Sequence, residues 1–137
     1  MPLPAMDSLL QAQGSLPILV VDSDQPVADR LADSLRQFGF HADVATSCWS
    51  AQAAMHTCAY GTLVVVADLS RSSDLQCLTS LRIEAPRTWI IVISLYTYPD
   101  ARQVVFGCGA DSLLIAPFSL AELTARLSGF ARRSRPV

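Results

Sequence analysis

Acidic and hydroxyl side chains stand directly after three short apolar segments of this chain. Asp22, Ser23 and Asp24 follow the first segment, Asp68 follows a later one, and Ser94 ends another. Carboxylate oxygens are the ligands that hard divalent cations prefer, so these side chains could together hold such an ion. The alternative is that Asp24 only caps a helix and Asp68 is a solvated loop residue. Spacing alone leaves both possibilities open.

The apolar segments that carry these side chains have the composition of strands buried on both faces. Residues 16–21, 62–67 and 89–93 are continuous apolar runs rich in β-branched residues, and weaker strand patterns cover 40–46 and 112–115. Apolar residues at helical spacing alternate with these strands at 24–38, 48–58, 75–81, 99–107 and 119–130. The alternation predicts an α/β fold, a doubly wound five-stranded parallel sheet with flanking helices. In such a sheet the strand ends that carry the acids gather at one edge.

Composition limits the chemistry available to this fold. The 137 residues are 51% hydrophobic and 16% charged, which suits one domain with a real core. All ten basic residues are arginines, so Schiff-base chemistry and a phosphate-loop lysine are excluded. The net charge of −2 gives no electrostatic reason to expect nucleic-acid binding. A flavin or dinucleotide site is also disfavoured, because an acidic loop rather than a glycine-rich loop follows the first strand.

The cysteines and the chain ends predict a reduced, cytoplasmic domain. Cys48, Cys58, Cys77 and Cys108 are far apart in sequence, and no pair has the spacing of a zinc or redox motif. The N-terminus lacks the pattern of a signal peptide, and no apolar run reaches the ~20 residues that span a bilayer. We therefore expect free thiols, a flexible leader at 1–15, one domain at 16–132 and a tail or linker at 133–137.

The order of these features resembles the receiver domain of bacterial two-component response regulators. The resemblance extends from about residue 17 to 132. It is carried by a first strand that ends in an acid and by two stretches near the C-terminus: Ile18-Leu19-Val20-Val21-Asp22, Gly109-Ala110-Asp111-Ser112 and Ala116-Pro117-Phe118-Ser119-Leu120-Ala121-Glu122-Leu123. The resemblance implies the (βα)5 flavodoxin-like receiver fold. It also implies phosphoryl transfer from a histidine kinase to an aspartate at the end of the third strand, with Mg²⁺ held by that aspartate and an acidic pair.

Matched residue by residue, the chain keeps only part of the receiver site. Asp22 matches the first acid of the pair, whereas Ser23 stands at the second. Ser94 matches the switch hydroxyl, but Leu113 stands where the family has an aromatic switch residue. Ala116 stands where the family has a lysine, before the residue expected to be the cis-proline, Pro117.

The phosphoacceptor position has two possible registers. Alignment on the apolar run 62–66 puts Ala67 at the acceptor position and Asp74 on a later aspartate of the family, and this register is favoured. Alignment on the acid makes Asp68 the acceptor but requires a shorter loop. Because side chains alternate along a strand, the two registers direct Asp68 to different sides.

The sequence therefore predicts a degenerate receiver, or pseudoreceiver, that acts by phosphorylation-independent protein–protein contact and is not an enzyme. No catalytic residue, cofactor or metal is expected. The expected partner is a signalling protein or a second copy of the chain, with neither nucleic acid nor membrane involved. The alternative is a weak phosphoacceptor at Asp68, with Mg²⁺ held by Asp22, Asp24 and Asp68. The candidate interface, taken from the family's fourth helix, fifth strand and fifth helix, comprises Tyr96, Tyr98, Arg102, Val105, Phe106, Arg126 and Arg133.

Overall fold

The computed structural model describes residues 16–133, which form five strands and five helices in strict alternation. The predicted leader at 1–15, and all of the predicted tail except Arg133, lie outside the described residues. In chain order the elements are β1 (Ile18–Val21), α1 (Gln25–Gln37), β2 (Ala42–Ala45), α2 (Cys48–Thr57), β3 (Thr62–Ala67), α3 (Ser72–Glu84), β4 (Trp89–Ser94), α4 (Ala101–Gly107), β5 (Ser112–Ile115) and α5 (Leu120–Ala131).

The five strands form one parallel sheet in the order β2-β1-β3-β4-β5. The chain first adds β2 on one side of β1 and then adds β3, β4 and β5 on the other side. The strand order therefore reverses at β1 and β3, and the crevice at their carboxyl ends is where a doubly wound sheet binds ligands. The predicted fold is confirmed.

Alternate residues of each strand enter two separate cores. On one face, Leu19 and Leu63 pack against α2, α3 and α4. On the other face, Val20 and Val64 pack against α1 and α5. All four side chains are fully buried, and each contributes about 1.5–3 kcal/mol by leaving water. The strands read as continuous apolar runs because both faces of the sheet are covered.

Side chains at the helix starts fix where the loops near the site turn. Asp24 accepts a hydrogen bond from the Val27 N–H at 3.3 Å, which confirms it as the cap of α1. Ser119 accepts from the Glu122 N–H at 3.0 Å at the start of α5. The Glu122 carboxylate lies 3.6 Å from the Arg126 guanidinium. The caps at Asp24 and Ser119 each stabilise their helix by about 1 kcal/mol.

One partly buried arginine near the end of α3 holds the amino ends of β4 and β5. Arg82 donates hydrogen bonds to the carbonyls of Gly109 and Thr88, both at 2.8 Å, and forms a 2.7 Å ion pair with Asp111. Asp111 also accepts from the Ile90 N–H at 2.9 Å. Gly109 has a φ of 108°, and a Cβ there would lie 2.5 Å from the Arg82 side chain. Arg82 thus ties α3 to the beginnings of β4 and β5.

Candidate functional site

The side chains singled out by the sequence lie at the carboxyl ends of β1, β3 and β4. Val21 pairs with Val65 in the parallel ladder, so Asp22 follows β1 at the level where β3 continues to Val66. Ala67 is the last residue of β3, and it pairs with Ser94, the last residue of β4. This edge of the sheet is the one at which the strand order reverses.

Asp22 is the buried acid of this edge. Its side chain is only 7% exposed, and one carboxylate oxygen accepts the Asp24 N–H at 3.0 Å. Burial raises the pKa of Asp22 above its usual value, and the carboxylates of Asp24 and Asp74 add to the effect. Asp22 therefore carries its negative charge at a cost to folding.

The two residues after Asp22 do not complete a buried acidic pair. Ser23 and Asp24 are both exposed, and the Asp24 carboxylate is engaged as the cap of α1. Asp24 was considered both as a cation ligand and as a helix cap, and in the structure it caps α1.

The end of β3 places Ala67 and Asp68 in different surroundings. Ala67 is 3% exposed and packs in the core cluster of the α2–α4 face. Asp68 lies beyond the strand, where one oxygen accepts from the Ser70 N–H at 3.0 Å, the Ser70 hydroxyl at 2.6 Å and the Tyr98 hydroxyl at 2.9 Å. These bonds, led by those from Ser70, hold the pKa of Asp68 below its usual value. Ala67, and not Asp68, is the residue of β3 that pairs with Ser94 of β4 in the sheet.

A cavity of about 230 Å³ opens beside Asp22. Its polar lining includes Asp22, Ser23 and Asp74, and its apolar lining includes Ala67. Asp74 is held in place because its carboxylate accepts the Asp68 N–H at 2.8 Å. Asp68 itself is outside the lining of this cavity.

The carboxylates at this end of the sheet make separate contacts. Within residues 16–133, no three His, Cys, Asp or Glu side chains are grouped so that they could hold a metal ion. Asp24 caps α1, and Asp68 accepts hydrogen bonds from Ser70 and Tyr98. Of the predicted alternative set of Asp22, Asp24 and Asp68, only Asp22 lines the cavity.

The remaining positions named from the resemblance lie at the ends of β4 and β5. Ser94 is fully buried, and its hydroxyl donates to the Tyr96 carbonyl at 2.6 Å. Leu113 is buried in the sheet. The Ala116–Pro117 peptide bond is cis, and Ala116 brings no charge to the edge that holds Asp22.

The cysteines depart from the sequence prediction. Cys48, the first residue of α2, and Cys77 of α3 form a disulfide with a Cα–Cα distance of 5.7 Å. The expectation of four free thiols is therefore wrong for this pair, whereas Cys58 and Cys108 are free. The two half-cystines are 29 residues apart, and only the parallel packing of α2 beside α3 brings them together.

The predicted interface is partly exposed. Tyr96 is 63% exposed and contacts Tyr98 edge-on, and the exposed Arg102 guanidinium lies 5.2 Å from the Phe106 ring centre. Val105 is fully buried in the core, so its inclusion in the interface is wrong: it lies on the inner side of α4.

The two arginines of the predicted interface differ in their surroundings. The Arg126 guanidinium donates to the Ser112 hydroxyl and, at 2.9 Å, to the Leu113 carbonyl, so it is engaged at the edge of β5. Arg133 is exposed. Arg126 is therefore a structural residue of α5 as well as part of this face.

Sequence reasoning missed two features of this edge. The hydrogen bond from Tyr98 to Asp68 joins residues that are 30 apart in the sequence, and no local sequence pattern predicts it. The proximity of Cys48 to Cys77 could have been found by placing both residues on the predicted helices that flank β3. Their positions in the first turn of α2 and the middle of α3 are compatible with contact across parallel neighbours.

These observations define the class as a doubly wound α/β domain with acidic and hydroxyl side chains at its switch point. Residues 18–128 match the response regulator receiver domain family. The chain belongs to this family, the receiver domains of two-component response regulators.

Curated relatives agree with this assignment. The chain is 33% identical over 118 residues to the transcriptional regulatory protein PrrA of Mycobacterium tuberculosis, covering 85% of this chain and 50% of the relative. It is 28% identical over 116 residues to the transcriptional regulatory protein QseB of Haemophilus influenzae, covering 85% and 52%. The chain thus spans about half the length of these relatives.

Solved structures show the same fold. A two-component response regulator from Clostridium difficile superposes with a TM-score of 0.77 at 22% identity, covering 87% of this chain and 98% of that one. The receiver domain of NtrX from Brucella abortus gives 0.76 at 24% identity, covering 85% and 99%. Across residues 16–133, no helix is both long and apolar enough to cross a bilayer.

Proposed function

We propose that this receiver domain is degenerate and acts as a phosphorylation-independent protein-binding module in two-component signalling. The observation that carries the proposal is the pairing of Ala67 with Ser94 at the end of β3. We assign Ala67 to the position of the phosphoacceptor, and a methyl group has no oxygen to accept a phosphoryl group.

Three further features support the loss of phosphoryl chemistry. Ser23 replaces the second acid, Ala116 replaces the lysine that would bind the phosphoryl oxygens, and the carboxylates near Asp22 do not group as metal ligands in the described residues. Phosphoryl transfer depends almost entirely on positioning and on neutralising charge. Removing one such contact typically lowers the rate about 10²–10³-fold, so losing several leaves no useful rate.

The proposed binding face is the exposed part of α4 and its preceding loop. Tyr96, Arg102 and Phe106 present aromatic rings and a guanidinium to solvent, and such side chains are enriched at interface hot spots. A second copy of the chain is the first partner to test. Tyr96→Ala with Arg102→Glu should abolish concentration-dependent dimerisation in sedimentation analysis. Arg30→Glu, on the exposed surface of α1, is the matched control. A wild type that stays monomeric, or a double variant that still dimerises, would count against this face.

A second candidate function is weak phosphoacceptance at Asp68. The observation that favours it is the position of Asp68, which is the first carboxylate after the end of β3 and lies one residue beyond Ala67. Incubation with acetyl phosphate and Mg²⁺, followed by intact-mass measurement, separates the two functions. We expect no stoichiometric acyl-phosphate adduct, while a receiver with a complete site, treated in parallel, is modified. An adduct that disappears in Asp68→Asn would overturn the proposal and establish the second function.

A further inference from the structure

The disulfide between Cys48 and Cys77 forms part of the wall of the cavity beside Asp22. Both half-cystines line this cavity of about 230 Å³, and both are partly exposed. Their Cα–Cα distance of 5.7 Å lies within the usual range for disulfides, about 4.4–6.8 Å. We therefore expect a small thiol to reach the disulfide through this cavity without unfolding of the domain.

The same disulfide is a covalent link between α2 and α3. Of the ten residues of α2, only Ala51 is fully buried. The polar contact from α2 to α3 at the other end is His56 to Glu84, at 3.9 Å between exposed side chains, and exposed pairs contribute little. Ala54 and Met55 also pack against the core but are only partly buried, so we expect the state of the disulfide to affect how firmly α2 is held.

We propose that Cys48 and Cys77 form a reversible thiol–disulfide site through which this domain responds to dithiol reductants and disulfide oxidants. A thiolate of the reductant attacks one sulfur of the pair, which breaks the Cys48–Cys77 bond and forms a mixed disulfide. The second thiolate of the reductant then displaces the protein thiolate. The protein disulfide gains two electrons and two protons and becomes two thiols, while the dithiol becomes a disulfide. The reverse exchange with an oxidised disulfide restores the bond.

Opening the bond should change the carboxyl end of the sheet near Asp22, whereas the interface proposed above lies on α4 and the loop before it, which contain neither Cys48 nor Cys77. Reduction frees the first turn of α2, which borders the cavity through Ser47 and Cys48. It thereby uncovers Asp22 and Asp74 from the α2 side. This inference does not depend on whether the domain accepts phosphate.

Thiol counting on the full chain tests the proposal. The oxidised native protein should expose two alkylatable thiols, Cys58 and Cys108, and the protein treated with dithiothreitol should expose all four. Across a series of dithiothreitol buffers of different oxidised-to-reduced ratio, Cys48 and Cys77 should titrate together and reversibly by peptide mass mapping. Amide exchange in α2 should rise at least about tenfold on reduction, with little change in β3.

Two variants keep the test independent of folding. Cys58→Ser with Cys108→Ser removes the other thiols and should leave the titration unchanged, whereas Cys48→Ser should abolish it. A native protein whose pair is never oxidised, whose disulfide resists dithiothreitol until the protein unfolds, or whose α2 exchange is unaffected by reduction would overturn the proposal. Phosphorylation assays measure neither the thiol titration nor the amide exchange of α2, so failure of the redox proposal can be distinguished from failure of the proposed function.

Discussion

Replacing Arg82 by alanine should destabilise the domain more than any change at its surface arginines. The Arg82 side chain is 16% exposed, as is that of its ion-pair partner Asp111. It donates to the carbonyls of Gly109 and Thr88 as well as to the carboxylate. Removing one member of a buried, hydrogen-bonded ion pair typically costs about 3–5 kcal/mol, a large part of the ~5–15 kcal/mol that stabilises most domains.

Thermal and urea unfolding of the full chain measure this loss. We expect Arg82→Ala to lower the free energy of unfolding by about 3–5 kcal/mol and the midpoint temperature by roughly 10–20 °C. The stability of Arg82→Lys should fall between those of Arg82→Ala and the wild type, because lysine keeps the charge but lacks the planar fork of five N–H donors. Both measurements should be made with the disulfide intact, so that only the Arg82 contacts differ.

Arg30→Ala is the matched control, because Arg30 is an exposed arginine of α1 and surface substitutions usually change stability by less than about 0.5 kcal/mol. If Arg82→Ala and Arg30→Ala differ by less than about 1 kcal/mol, then the Arg82 contacts do not hold the beginnings of β4 and β5 together. The reasoning about this edge of the sheet would then be refuted.

Three further outcomes are expected at the switch-point edge. Because burial raises the pKa of Asp22, its ionised form opposes folding. Asp22→Asn should therefore be more stable than the wild type near pH 7, and unfolding curves should show this gain shrinking as the pH falls through the raised pKa towards ~4. Ala67→Asp should lower the free energy of unfolding by roughly 2–4 kcal/mol in the absence of Mg²⁺. Calorimetry should show that millimolar Mg²⁺ restores stability in this variant and leaves the wild type unchanged. If Mg²⁺ has no effect on the variant, the assignment of Ala67 to the acceptor position would be contradicted. The Cys48–Cys77 disulfide closes a loop of about 30 residues, which restricts the unfolded chain. Its reduction should therefore lower the free energy of unfolding in guanidinium by about 3–4 kcal/mol. A loss below about 1 kcal/mol would contradict this entropic role.

The strands were predictable because a doubly wound sheet leaves a local signature. β3 and β4 are buried on both faces, so their sequences are continuous apolar runs, and the predicted 62–67 coincides with Thr62–Ala67. The edge strand β2 was less well predicted, at 40–46 against Ala42–Ala45, because Asp43 is exposed and breaks the apolar run. The fourth helix begins at Ala101 rather than 99, after Asp100 in a left-handed conformation.

The site was less predictable, because its decisive contacts join distant residues. The acids Asp22 and Asp68 were predicted from their places at strand ends. Their surroundings differ, because Asp68 is bonded to Ser70 and Tyr98, whereas Asp22 is affected by the charge of Asp74. The sequence left the register of Ala67 and Asp68 open, since a shift of one residue reverses the side on which a strand residue lies. The pairing of Ala67 with Ser94 is the contact on which we base the proposed register.

The separation between the stabilising contacts and the switch-point edge explains how such a fold can persist when its site changes. Arg82 and its carbonyl acceptors lie where β4 and β5 begin, whereas Asp22, Ala67 and Ser94 lie where β1, β3 and β4 end. A buried carboxylate at Ala67 beside Asp22 would add like-charge repulsion unless a cation were bound. Alanine there removes that repulsion and fills the same place in the core. Under our proposal that Ala67 occupies the acceptor position, stability therefore does not oppose the loss of the acceptor, because the residues that hold the sheet together lie apart from that position.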